Sequence, residues 1–360
     1  MNDLVKAFNL QSDSLGHLTS AVQLGFIAGT LVFALLTIAD RFSPSKVFFV
    51  SALIGALFNL GTILDNNALV SLLTFRFLTG FCLAGIYPVG MKIAADYYDK
   101  KLGNSLSLLV GALVLGTAFP HLLKEFTTDL PWKLVLAITS FIATIGGLII
   151  FFLVPDGPNR KPSQKLDFTA LFSVFKNSKF RAAAFGYFGH MWELYAFWAF
   201  VPVMLLTYST SHPEFNFNIP LLSFLIIGLG SIACVIGGYL SQTYGAKKIA
   251  FIALLLSGLC CIISPVMFFT NSGYLFIGFL IFWGMVVIAD SPLFSTLVAQ
   301  SAAAESKGTA LTIVNCIGFS ITIISIQLIN LLKDVISAEY LFTVLAIGPV
   351  LGLIAFIRKE

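Results

Sequence analysis

Residues Gly273 to Val298 read GYLFIGFLIFWGMVVIADSPLFSTLV, an apolar run whose one charged residue is Asp290. About 20 apolar residues, rising 1.5 Å each, carry a helix across the hydrocarbon core of a bilayer. This run meets that length. A helix at a protein–water surface shows a polar face opposite its apolar stripe; none is present before Asp290. The expectation is a membrane-spanning helix with a bend or local hydration near Pro292, because proline withholds a backbone donor and frees the carbonyl one turn back.

Working outward, ten further runs of the same kind fill most of the chain, at roughly 17–39, 47–65, 68–91, 104–123, 133–154, 183–207, 219–242, 249–270, 309–331 and 340–357. Hydrophobic residues make up 58% of the sequence and charged residues 11%, against about 25% charged in a soluble domain. Too little charge remains to clothe a water-exposed surface, so lipid must be the solvent for most side chains. The fold class is therefore all-α and membrane-embedded: a polytopic helical bundle with eleven spans visible.

Basic residues follow the alternation that eleven spans require. With the N-terminus outside, inner loops receive Arg41, Lys46, Lys92, Lys100, Lys101, Arg160, Lys161, Lys165, Lys176, Lys179, Arg181, Lys247, Lys248, Lys307, Arg358 and Lys359. Outer loops receive Lys6, Lys124, Lys133 and Lys333, and Arg76 alone lies within a span. A split of sixteen to four sets the N-terminus outside and the C-terminus in the cytoplasm. The positive charges thus serve orientation in a plasma (inner) membrane, and no nucleic-acid partner is expected. Residues 1–16 contain Asp3, Lys6 and Asp13 and no apolar run, so no cleavable signal is expected. Cys82, Cys234, Cys260, Cys261 and Cys316 all fall within spans without C-x-x-C spacing, which implies neither a disulfide frame nor a metal site.

The long polar connection 155–182 divides the chain into an N-terminal half of five spans (1–154) and a C-terminal half of six (183–360). Within that cytoplasmic linker, Phe168 to Phe180 reads either as a short surface-lying amphipathic helix or as flexible chain. The halves repeat each other. Asp40-Arg41-Phe42-Ser43-Pro44-Ser45-Lys46-Val47 aligns with Gln242-Thr243-Tyr244-Gly245-Ala246-Lys247-Lys248-Ile249, and Gly80 through Pro88 aligns with Gly284 through Pro292. Two registrations at nearly one offset indicate duplication. They pair span one with span seven and leave span six without a partner, so a twelfth helix is expected before residue 1.

At these residues the chain resembles the major facilitator superfamily of transporters. The superfamily's inner-loop motif, G-x-x-x-D-R-x-G-R-R/K, is matched by Asp40, Arg41 and Lys46. It is departed from at Leu36, Ser43, Pro44 and Ser45. The second copy keeps Gly238, Gly245, Lys247 and Lys248 but has Gln242 for the acid. R-x-x-x-G-x-x-x-G is matched by Arg76 and Gly80, with Gly85 one residue late. The resemblance implies a twelve-helix pseudo-symmetric fold and cytoplasmic gate loops at Asp40, Arg41, Lys46 and Lys248. Plain inside-positive topology accounts for the lysines equally well, though not for Asp40. It also implies that an absent first helix reflects a start placed too late, a truncated product or a partner chain.

Ionisable groups within a bilayer cost several kcal/mol unless paired or hydrated, which makes each a functional candidate. Arg76 sits a few residues from the middle of its span, and its planar fork suits a carboxylate or anionic substrate; snorkelling to the surface is the alternative. Glu193 lies mid-span with His190 one turn before it on the same helix face, an arrangement that suits proton exchange between carboxylate and imidazole. Helix-to-helix hydrogen bonding is its alternative role, as it is for Asp290. Tyr87, Trp192, Tyr195, Trp198 and Asn315 are cavity-lining candidates, with core packing as the competing role. Gly25, Gly29, Gly111 and Gly116 suit close helix approach.

No Walker loop, H-E-x-x-H or G-x-S-x-G is present, and neither an enzyme nor a bound cofactor is expected. The expected function is secondary transport of a small solute by alternating access around a mid-membrane site, as a monomer. Proton-coupled uptake of a small organic anion is favoured, with Glu193 and either His190 or Asp290 carrying the proton. Proton-coupled drug or metabolite efflux is one alternative, although the superfamily's fifth-helix antiporter motif is only faintly echoed at Gly116 to Pro120. A truncated, non-transporting membrane protein is the other.

Overall fold

The computed structural model describes residues 4, 7–10, 14–36, 38–98, 102–126, 132–158, 160, 174–302 and 307–357. Among them every regular element is helical. In chain order the principal helices are α1 (Ser14–Leu35), α2 (Pro44–Gly61), α3 (Leu69–Leu83), α4 (Tyr87–Tyr97), α5 (Leu102–Phe126), α6 (Trp132–Leu153) and α7 (Ser178–Ser211). There follow α8 (Ile219–Gly228), α9 (Gly230–Tyr244), α10 (Ala246–Phe268), α11 (Gly273–Ala289), α12 (Ser291–Ser301), α13 (Lys307–Leu332) and α14 (Ile347–Ile357).

Among the described residues eleven helical stretches are long and apolar enough to cross a membrane, in the order the hydropathy pattern gives. Large apolar side chains point away from the protein along these helices: Phe141, Phe152 and Leu153 on α6, Ile262 and Val266 on α10. Such faces suit a chain whose solvent is lipid, and the protein is a multi-pass membrane protein.

Two units are distinguished by their internal packing: Met1–Leu102 with Thr127–Asp167, and Gly103–Phe126 with Phe168–Glu360. In the first, α1 packs on α3, and α2 on α3, α4 and α6. In the second, α7 packs on α12, α13 and α14, while α11 packs on α8, α9 and α10. Helix α5 lies in the second unit, antiparallel to α8 and α9. Asn218 Nδ2 donates to Glu125 Oε1 at 2.6 Å at one end, and Gln242 bonds Asn104 at the other.

Helix ends follow local chemistry. Pro44 opens α2 from its first turn, where its missing N–H costs nothing. Asn177 caps α7 by accepting from the Lys179 and Phe180 amides at 2.9 and 3.3 Å, which starts that helix five residues before the apolar run. The expected surface helix over 168–180 lies largely outside the described residues; only the 3₁₀ turn Val174–Lys176 and the start of α7 belong to them.

Among the described residues the third, seventh and ninth spans stop and restart, and the eleventh turns to 3₁₀ geometry over Phe342–Ala346. The third stops at Leu83 and resumes at Tyr87, with Gly85 and Ile86 amides bonded three residues back at 2.9 and 3.0 Å. The ninth stops at Ala289 and resumes at Ser291, with Asp290 between. Pro88 and Pro292 lie in the first turn of the resumed helices. The seventh breaks at Leu229, between Gly228 and Gly230.

The internal repeat reappears as one helix crossing made twice. A Cβ placed on Gly80 of α3 would stand 2.0 Å from the Val22 carbonyl oxygen of α1. A Cβ on Gly284 of α11 would stand 2.2 Å from the Ile226 carbonyl oxygen of α8. Both partners are shifted by 204 positions. Where lipid is the solvent no hydrophobic gain draws helices together, so small residues that let backbones touch hold the crossing. Gly25 and Gly29 serve the same contact on α1, where an added Cβ would stand 2.0 and 2.5 Å from the Phe77 and Phe81 carbonyl oxygens. Gly111 is looser, its added Cβ meeting Ser231 O at 3.2 Å, and Gly116 faces open space, so the close approach expected at Gly116 is not made.

Candidate functional site

Three titratable side chains of the second unit, Glu193, His190 and Asp290, are drawn together in its interior. Glu193 lies near the middle of α7 with 0% of its surface exposed. Its Oε1 accepts from Trp283 Nε1 of α11 at 2.6 Å and from Cys261 Sγ of α10 at 3.3 Å. Its Oε2 is 2.9 Å from Ser257 Oγ, also of α10. Two helices, α10 and α11, thus supply three donors to one carboxylate on a third. Helical spacing places Ser257 and Cys261 on one face of α10, four residues apart.

His190 occupies the same face of α7 one turn earlier, but its ring is turned to a different acid. Its Nδ1 is 2.8 Å from Asp290 Oδ1. The break in the ninth span puts Asp290 at this point: leaving the helix at Ala289 sets the side chain against α7, fully enclosed. Tyr187 and Phe294 flank the imidazole at ring separations of 5.9 and 6.4 Å. His190 Nε2 and Asp290 Oδ2 are buried without a hydrogen-bond partner. Two acids on adjacent turns of the bundle interior therefore differ in kind, one ringed by donors and the other joined to a base.

The cavity-lining candidates distribute around this core. Tyr195 is half-buried against Trp198 and Phe319, with centroids 5.2 and 5.4 Å away. Trp198 is buried, and its Nε1 has no partner. Trp192 donates to Val344 O at 3.4 Å. Asn315 of α13 accepts from the Tyr187 hydroxyl at 3.0 Å, a helix-joining role. Tyr87, in the first unit, opens α4 immediately before Pro88.

Arg76 belongs to the first unit and is enclosed by it, with 8% of its surface exposed; it does not snorkel. Its Nη1 donates to Asn59 Oδ1 of α2 at a long 3.4 Å, and Asn59 Nδ2 in turn donates to Ser140 Oγ of α6 at 3.0 Å. Among the described residues no carboxylate pairs with Arg76, and its Nε is buried without a partner. A guanidinium held by one neutral amide retains most of its capacity for an anion.

At the polar ends, Arg41, Lys46 and Lys248 are exposed, and the Asp40 side chain lies outside the described placements. The loop after α1 is anchored instead through Asp156, which accepts from Ser43 Oγ and Arg160 Nη1, each at 2.6 Å. Arg160 Nη2 also donates to Phe42 O at 3.0 Å. Lys248 lies 5.8 Å over the Tyr244 ring and Lys247 5.5 Å over Phe356, at the rim of an open cavity of about 350 Å³.

Sequence reasoning missed Asn59, Ser257, Cys261, Trp283 and Asp156. Asn59 and Trp283 were open to it, being a lone amide and a lone indole in their spans, because each needs a polar partner when buried. Nothing local distinguishes Ser257 from other span serines.

Comparison with known proteins gives a consistent family. The model for the Major Facilitator Superfamily matches residues 1–326. The 3-(3-hydroxy-phenyl)propionate transporter of Escherichia coli is 27% identical over 153 residues, covering 42% of this chain and 36% of that protein. The probable galactarate/D-glucarate transporter of Escherichia coli is 25% identical over 170 residues, covering 45% and 37%. The chain thus spans little more than a third of the length of these curated relatives. Among solved structures, the human organic anion transporter MFSD10 superposes with a TM-score of 0.75 at 17% identity, covering 98% of this chain and 87% of that one.

Proposed function

The chain belongs to the major facilitator superfamily, and on that premise we propose that it is a secondary transporter taking up a small organic anion together with a proton. The observation that carries the reading is Arg76: a fixed positive charge enclosed within membrane-spanning helices, bound to one neutral amide and to no acid among the described residues. A charge so placed is costly unless something pays the cost in use, and a substrate carboxylate answers it with a bidentate pair. Two curated relatives are named for carboxylic acids, an aromatic propionate and sugar diacids, which favours the same chemistry.

Glu193 and the His190–Asp290 pair carry the coupling proton. Protonation cancels a buried charge, so the energy of any conformation that changes their surroundings depends on it. The halves 1–154 and 183–360, joined by the cytoplasmic linker 155–182, rock about a mid-membrane site. Tyr87, Trp192, Tyr195, Trp198 and Asn315 border the path, and Asp40, Arg41, Lys46 and Lys248 act at the inner gate. The protein acts as a monomer in the plasma (inner) membrane, with its C-terminus in the cytoplasm.

The test follows internal pH in vesicles containing the purified chain while 3-(3-hydroxyphenyl)propionate, D-glucarate, amino acids, sugars and cationic drugs are added outside. The expected result is lumenal acidification with a carboxylate, abolished by Glu193→Gln. Half-saturation should rise by about tenfold or more in Arg76→Gln, the size of a lost charge-assisted bond. Correctly inserted protein that acidifies with no carboxylate refutes the reading. A response confined to cationic drugs transfers it to efflux.

A further inference from the structure

Ser257 makes a second contact that changes what Glu193 can do. Its Oγ is 2.9 Å from Glu193 Oε2 and also 3.1 Å from Leu254 O, one turn back on its own helix. A hydroxyl has one hydrogen and two lone pairs. With that hydrogen aimed at Oε2, Ser257 donates to an ionised Glu193. With it rotated to Leu254 O, the hydroxyl oxygen is free to accept a proton-bearing Oε2–H. We propose that Ser257 is a positioning residue for proton coupling: a hydroxyl rotor that keeps Glu193 fully hydrogen-bonded in both protonation states. The inference rests on the proton-coupled reading of this acid and names the residue that makes it reversible.

The balance is simple. An aqueous proton forms an O–H bond at Oε2; the Ser257 hydrogen turns from Oε2 to Leu254 O; Oε2–H then donates to Ser257 Oγ. Release runs the same steps backwards. The other oxygen is excluded, since Trp283 Nε1 and Cys261 Sγ both donate to Oε1 and direct the proton to Oε2. Neither Glu193 oxygen nor the Ser257 hydroxyl is orphaned in either state, and an orphan in such surroundings is the expensive outcome. The neighbouring pair lacks this property, since His190 Nε2 and Asp290 Oδ2 have no partner.

The titratable neighbours are few. Tyr187, His190 and Tyr195 lie on the same helix, and Ser257's helix α10 brings Cys260 and Cys261, with Lys247 and Lys248 at its polar end. Asp290 acts on Glu193 through space, and α9 carries Cys234, Tyr239 and Tyr244. Helices α8, α12 and α14 carry no titratable side chain; α11 carries Tyr274, and α13 carries Cys316 and the terminal Lys307.

Infrared difference spectroscopy of the full chain in phosphatidylethanolamine–phosphatidylglycerol vesicles reads this without any substrate. A protonated-carboxyl stretch should grow on acidification and vanish in Glu193→Gln. In Ser257→Ala that band should change frequency and its midpoint should move by about one pH unit, because a bond to a charged group outweighs one to a neutral group. Ser257→Thr should restore both, and Ser257→Cys, a weaker donor and acceptor, should fall between; either stands in if the alanine variant does not fold. A Glu193 band that titrates identically with and without the Ser257 hydroxyl overturns the rotor and leaves proton coupling standing. The absence of any Glu193-dependent band overturns the rotor and Glu193's coupling role together.

Discussion

Replacing Gly80 by alanine should destabilise the first unit more than its size suggests. The added Cβ would stand 2.0 Å from Val22 O, while ordinary contact begins at 3.4 Å, so α1 and α3 must part by about 1.4 Å at their closest point. A gap of 0.5–1 Å already forfeits about a quarter to a half of each dispersion contact along the seam. Overpacking of this kind costs about 1–3 kcal/mol, offset by about 1 kcal/mol of improved helix propensity. Gly116→Ala isolates the second term, because nothing lies within 4 Å of its new methyl, and it should be neutral or mildly stabilising.

The pair should therefore differ by about 1–3 kcal/mol. At the 2–4 °C per kcal/mol of about 150–250-residue domains, that is a gap of several degrees. Thermal unfolding in detergent, followed by size-exclusion fluorescence, reads it. Such unfolding is commonly irreversible, so all variants share one heating rate and the order of midpoints is the result. Gly284→Ala meets Ile226 O at 2.2 Å and should fall with Gly80→Ala. The reasoning fails if Gly80→Ala melts level with Gly116→Ala, since the crossing would then not be closely packed. It fails too if Gly284→Ala melts with Gly116→Ala, since the duplicated contact would then not be equivalent.

Two further predictions use other contacts. Trp283→Phe keeps a ring beside Phe197, now 4.8 Å away, but removes the 2.6 Å donor to Glu193. That donor stabilises the ionised carboxylate, so the loss, about 1–3 kcal/mol, should appear in melting at alkaline pH and shrink as acidification protonates Glu193; a pH-independent loss would assign the effect to packing alone. Lys133→Met breaks the ion pair with Asp65, whose side chain is 84% exposed. Its melting midpoint should move by less than the change of Gly80→Ala, because exposed pairs contribute about 0–1 kcal/mol.

The spans were legible because apolarity summed over some twenty residues does not depend on what packs against them. The bend at Pro292 was legible for a similar reason, since proline acts on its own chain, whereas the matching break before Pro88 was not read. The break at Leu229 was not read. Gly228 and Gly230 flank it, yet the need for glycine appears only across the interface, where a Cβ on Gly230 would meet Ile288 and Gly284 O at 2.8 and 2.9 Å. The same distinction divides the candidate site. A mid-span Glu193 stands out in the sequence, while its donors Ser257, Cys261 and Trp283 are 64 to 90 positions away. The i, i+3 spacing correctly put His190 on Glu193's face, but which acid the ring turns to depends on Asp290, delivered by another span.

The repeat sharpens the point about function. Spans three and nine share a crossing, a break and a proline at corresponding positions, so the duplicated backbone solution has been kept in both units. Their charges have not. Position 280, which corresponds to Arg76 at the 204-residue offset, is Leu280; the counterpart of Asp290 is Ile86, and that of Trp283 is Thr79. A buried charge costs several kcal/mol in such a helix, and the shared packing does not require one, since the other copy manages with an apolar residue. Arg76 and Asp290 are thus burdens that one copy carries and its twin does without. A purely structural role explains that asymmetry poorly, whereas the proposed division of labour, with a cation for the substrate in one unit and acids for the proton in the other, explains it directly.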